Sequence, residues 1–182
     1  MSTTLGGITL GGPIGGWKFV NKPASSLPQD VASAIGIVQE QLIGATYTPL
    51  YYIAKQLVNG TNHLLICEQT LVIAKPEKHI VVMNINIPAG SVGGKGATVV
   101  DIITANEPMV SDELLALFNV ATSKLLGASH KPVFYIGSQT VKGVNYFIVT
   151  ESKTIGLNAK SYATIAKINL FDGNATIDFE TI

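Results

Sequence analysis

Apolar residues recur at helical spacing in two places along the chain, and strand-like runs follow each. Val31, Ile35, Val38 and Leu42 form the first stripe. Ser26 is the predicted helix cap, Gln29 occupies the capping-box position, and Gly44 is the predicted stop. Leu114, Leu117, Phe118, Ala121 and Leu125 form the second stripe, with Ser111 as cap, Asp112 and Glu113 at the positive end of the helix dipole, and Gly127 as stop. Runs rich in β-formers come next: 47–58, 61–71, 80–87 and 98–103, then 130–141, 144–155, 163–170 and 176–182. Asn59-Gly60 is a strong hairpin signal, and Lys142-Gly143 occupies the same place in the second set. The pattern predicts an α+β fold of two units, each one helix packed on a four-stranded antiparallel sheet.

The two sets superpose at an ungapped offset of 83 residues. Pro49 aligns with Pro132, Tyr52-Ile53 with Tyr135-Ile136, Gln56 with Gln139, Val58 with Val141, Gly60 with Gly143 and Asn62 with Asn145. Duplication of one unit explains the run, and units of roughly 75 to 90 residues can fold alone. Asn106-Glu107-Pro108 interrupts the pattern and marks the boundary. Residues 1–104 are therefore read as the first domain, with a Gly-rich N-terminal segment, and 105–182 as the second.

Composition narrows the function classes. Hydrophobic residues make up 47% and charged residues 13% of the 182 positions, with net charge zero. Every one of the 12 basic residues is Lys, and none cluster, so neither base readout nor a phosphate-backbone grip is expected. No apolar run approaches the roughly 18 residues of a membrane span. The start of the chain lacks a signal-peptide pattern, and Cys67 stands alone. The expected setting is the cytoplasm; a leader removed beforehand would change that.

Candidate catalytic chemistry is thin. His63 and Cys67 lie four apart on one predicted strand, about 13 Å, too far for a thiol–imidazole pair. His79 and His130 have no ligand-like spacing, so no metal or cofactor is expected. Gly90 to Gly96 fails the phosphate-loop pattern. No enzyme is predicted.

The duplicated turns point elsewhere. Gln56-Leu57-Val58-Asn59-Gly60 resembles the first-hairpin motif of the cystatin family, Gln-x-Val-x-Gly, and Gln139-Thr140-Val141-Lys142-Gly143 matches it again. Gly15-Gly16-Trp17 resembles the N-terminal glycine segment of stefin-type and bacterial cystatin-like proteins. The resemblance implies two cystatin-like units and reversible inhibition of papain-like cysteine proteases by a wedge that occludes the active-site cleft. Carried over, the wedge comprises Gly15 and Gly16, Gln56 to Gly60, and the turn at Pro88, Ala89 and Gly90. The second unit keeps its turn but has Asn106-Glu107-Pro108-Met109 where a glycine segment should be, so the first unit is the better candidate. The alternative is a non-inhibitory binding or assembly module on the same duplicated fold. Pro49 to Ile53 and Ile80 to Met83 are apolar on both strand faces, which predicts sheet faces packed on each other or on a second copy as a homo-oligomer.

Overall fold

β-Branched and aromatic runs dominate the chain, and the backbone follows them. The computed structural model describes residues 16–182. They form two units, one ending at Ile102 and the other beginning at Ile103.

In the first unit β1 (Trp17–Pro23) leads through a 3-10 turn (Ala24–Ser26) to α1 (Gln29–Gln41). Then come β2 (Ala45–Val58), β3 (Gly60–Leu71), β4 (Lys78–Ile87) and β5 (Thr98–Ile103). The sheet has five strands in the order β1-β2-β3-β4-β5. In the second unit α2 (Asp112–Thr122) precedes β6 (Ala128–Val141), β7 (Gly143–Thr154), β8 (Ser161–Phe171) and β9 (Asn174–Thr181), a four-stranded sheet in that order.

This corrects the expected α+β pair of units with one helix on four strands each. The described residues are 56% strand and only 16% helix, in two mainly antiparallel sheets of unequal size. The element overlooked in the sequence is β1. Trp17 and Phe19 alternate as a strand should, but Asn21 takes a left-handed φ of 53° and shifts the register between Phe19 and Lys22. That bulge breaks the period of two that would mark a strand.

The first helix also begins later than its pattern suggested. Ser26 lies in the 3-10 turn and caps nothing; Pro28 is the N-cap, without a side-chain cap bond. The cause is steric: the residue before a proline is pushed out of the helical region, so Leu27 cannot join a helix started at Ser26. Gln29 bonds forward to Ser33 rather than back to the cap. At α2 the expectation holds, with the Ser111 hydroxyl accepting from the Leu114 amide at 3.3 Å.

Each helix covers one face of its sheet. Val31, Ala34, Ile35 and Val38 of α1 pack with Tyr52, Leu65, Cys67, Val81, Met83, Ile85 and Ile87. Leu114 and Phe118 of α2 pack with Ile148, Ala166 and Ile168. Each large aliphatic side chain so buried contributes about 1.5–3 kcal/mol. The opposite face of the first sheet is apolar as well: Leu64, Ile66, Ile80 and Val82 are buried within the single chain. That is why these strands read as continuous apolar runs rather than as an alternation.

Candidate functional site

The β2–β3 hairpin closes tightly. Leu57 pairs with Thr61 and Val58 with Gly60, leaving Asn59 at the apex. Gly60 has a φ of 94°. A Cβ there would run into the Ile87 carbonyl oxygen and sit 3.0 Å from the Pro88 Cα and 3.1 Å from the Ala89 nitrogen. Glycine is therefore required twice over, by conformation and by the backbone approach of the following turn. The tip itself faces outward: Leu57 is 83% and Val58 42% exposed.

Gly16 completes the edge from the other side. Trp17 pairs with Gln56, and a Cβ on Gly16 would lie 3.6 Å from the Gln56 side-chain nitrogen. Gln56 is not at the apex. Its amide oxygen accepts from Asn62, and Asn86 donates in turn to Asn62 at 2.8 Å, so an amide row crosses β2, β3 and β4 beneath the turns. Three segments distant in sequence thus meet at one end of the sheet: Gly16, Gln56 to Gly60, and Pro88, Ala89 and Gly90. Pro88, Ala89 and Gly90 are exposed there. Gly15 lies outside the described residues.

Behind the hairpin, on the α1 side, a cleft of about 420 Å³ is lined by Asp30, Tyr52, Lys55, His63 and Pro88 among others. The Tyr52 hydroxyl and His63 Nδ1 are 2.5 Å apart. Burial raises the Tyr52 pKa, and the nearby Asp30 carboxylate adds to the effect. Burial lowers that of His63; Asp30 pulls it back up and Lys55 pushes it further down. Both groups are therefore neutral near pH 7, with Tyr52 donating to the imidazole. The pairing was not foreseen in the sequence, although the antiparallel register brings the two residues close once β2 and β3 are aligned. His63 accordingly faces Tyr52 rather than Cys67. The Cys67 thiol is fully buried and its pKa is pushed up to about 12, so it carries no nucleophilic thiolate.

The second hairpin repeats the turn with different surroundings. Gly143 has a φ of 86°, and a Cβ there would strike the Leu170 carbonyl oxygen and the Phe171 Cβ. Asn169 donates to Asn145 at 2.8 Å, repeating the amide row. Gln139 lies in the β6–β7 ladder opposite Asn145, while Thr140 and Val141 are exposed. The Lys142 ammonium lies 4.9 Å from the centroid of the Phe171 ring. Tyr135 and Tyr146 stand where the first unit has Tyr52 and His63, with ring centroids 6.5 Å apart.

Among the described residues no group of His, Cys, Asp and Glu could hold a metal ion. No helix among them is long and apolar enough to cross a membrane. No known family model matches the chain, and no curated protein matches it either.

Proposed function

We propose that the edge formed by Gly16, Gln56 to Gly60 and Pro88 to Gly90 is a protein-binding wedge that enters the cleft of a papain-like cysteine protease and blocks it reversibly. One observation carries the reading: segments some 40 and 30 residues apart in sequence converge on one sheet end, with an exposed aliphatic tip between two glycine-bearing flanks. An exposed Leu57 has no role in the core, yet it sits on a hairpin held rigid by the amide row and by the close approach of the next turn. A preformed apolar tip loses little conformational freedom on binding. The wedge offers no nucleophile and no acid–base pair to be consumed, so it acts by occlusion alone.

Titration of papain with the protein tests this. Inhibition is expected at sub-micromolar concentration, and Leu57→Asp is expected to weaken it by roughly tenfold to a hundredfold, the range of a central apolar anchor. Because Leu57 is exposed, the variant keeps the fold, which its thermal melt will verify. Activity of papain unchanged at micromolar protein would remove the proposal.

A further inference from the structure

The duplication repeats the cleft as well as the hairpin. In the first unit the cleft lies between the start of α1 and the β2–β3 hairpin. The offset of 83 carries Asp30, Val31, Tyr52, His63 and Ile87 onto Glu113, Leu114, Tyr135, Tyr146 and Leu170. Those five residues, with Leu117, line a cleft of about 460 Å³ beside the start of α2. The hollow has been kept while its chemistry has changed. Lys55, which stands opposite His63 in the first unit, becomes Ser138 opposite Tyr146. The imidazole becomes a second tyrosine ring. Among the described residues that line the second cleft, only Glu113 carries a charge.

Two tyrosine rings and a carboxylate around an apolar hollow favour one kind of guest. The Tyr135 and Tyr146 centroids are 6.5 Å apart with their planes at 49°, so one cation can stand within about 6 Å of both. Both rings are half-buried against the α2 core, which fixes them in place. The negative face of each ring attracts a cation, more strongly where water is partly excluded. Glu113, exposed at the rim, adds a full negative charge. An anion is disfavoured at this helix start: the Ser111 hydroxyl already takes the Leu114 amide, and Asp112 and Glu113 stand in the first turn. A primary ammonium brings N–H donors and strong hydration that leucine walls cannot replace. A quaternary ammonium has no N–H to satisfy, and its methyl groups bury against Leu114, Leu117 and Leu170.

We propose that this cleft binds a small quaternary ammonium compound, a trimethylammonium head on a short uncharged stem, between Tyr135 and Tyr146 with Glu113 as its counter-ion. The first unit supplies an internal comparison. Its Tyr52 and His63 rings have a similar arrangement, with centroids 5.7 Å apart and planes at 46°. Lys55 lines that cleft and repels a cation from it. The second cleft therefore binds the cation and the first does not. The proposal does not depend on the protease-binding wedge, because ligand binding is measured without a protease.

Choline titrated into the full chain, followed by NMR of the aromatic ring protons, is the test. Saturable shifts of the Tyr135 and Tyr146 signals are expected at millimolar choline, with the Tyr52 signals unmoved. Two further probes separate charge from shape and methylation from charge. The neutral alcohol in which carbon replaces the choline nitrogen, and ethanolamine, the unmethylated ammonium, are each expected to bind roughly tenfold more weakly. Ser138→Lys gives this cleft the cation that Lys55 gives the first, and is expected to weaken choline binding by roughly tenfold. Glu113→Gln is expected to weaken it by roughly threefold. Neither Ser138 nor Glu113 is buried, so both variants keep the fold, as their thermal melts will verify. Equal affinity for the neutral alcohol would reduce the site to an apolar hollow and overturn the proposal. So would equal affinity for ethanolamine, an unchanged choline affinity in either variant, shifts at Tyr52 as large as those at Tyr135, or no saturable shift at all.

Discussion

At His63 the burial that holds the imidazole neutral also links stability to pH. The folded-state pKa is lowered, so the unfolded chain binds the proton more readily. The stabilising contribution is therefore complete above the ordinary value of 6.5 and is lost as pH falls below it towards the lowered folded value. The slope is at most about 1.4 kcal/mol per pH unit for one site. Urea unfolding of the full chain at several pH values between 7.5 and 5 should show this loss. His63→Gln should be less stable at pH 7.5 but flatter across the series. Parallel curves for the two proteins would show that another group carries the pH dependence. The same residue illustrates what a sequence conceals. His63 was visible four positions from Cys67 along the strand, but its true partner, Tyr52, is a neighbour only across the hairpin.

Helix starts separate what local chemistry decides from what it leaves open. Ser111 was legible as a cap because nothing upstream competes with it, and its hydroxyl accepts from Leu114. Ser26 carried the same signal and failed, since Pro28 forbids the helical conformation at Leu27. Ser111→Ala should cost about 1 kcal/mol, and Ser26→Ala less than about 0.5 kcal/mol, both read from urea midpoints. A larger loss at Ser26 would mean that the 3-10 turn has a stabilising role beyond the cap. The strands following both helices were legible to within a few residues from β-propensity and the turn glycines. The first strand was not, because a bulge at Asn21 interrupts a run of only seven residues.

Duplication was the most legible feature of the whole molecule, since aligned positions recur at one offset without gaps. It also exposes a second pair of equivalent surfaces. At the end of each sheet away from its Gln-x-Val-x-Gly turn, two loops meet and display aliphatic side chains. Ile43 and Val72 are 100% and 66% exposed in the first unit, and their counterparts Leu126 and Ile155 are 95% and 72% exposed in the second. The loops are tied in the same way, by Val72 donating to the Gly44 carbonyl and Ile155 to the Gly127 carbonyl. These solvent-exposed aliphatics stand at equivalent places in the two units. Light scattering decides whether they self-associate: if they do, Ile43→Asp combined with Leu126→Asp should lower the apparent mass at high protein concentration. An unchanged mass would leave these loops without a role in assembly. What the sequence left hidden at this scale was β1, the fifth strand of the first sheet among the described residues, because it is too short and too irregular to recognise.

The burial of Cys67 has a consequence in redox terms. A protein that meets a thiol enzyme can block it by forming a mixed disulfide, and such inhibition vanishes when reductant is added. Here the lone thiol is enclosed by the core and stays protonated, so it offers the enzyme nothing to exchange with. Any inhibition by this chain must persist in millimolar dithiothreitol, the same medium that keeps papain active.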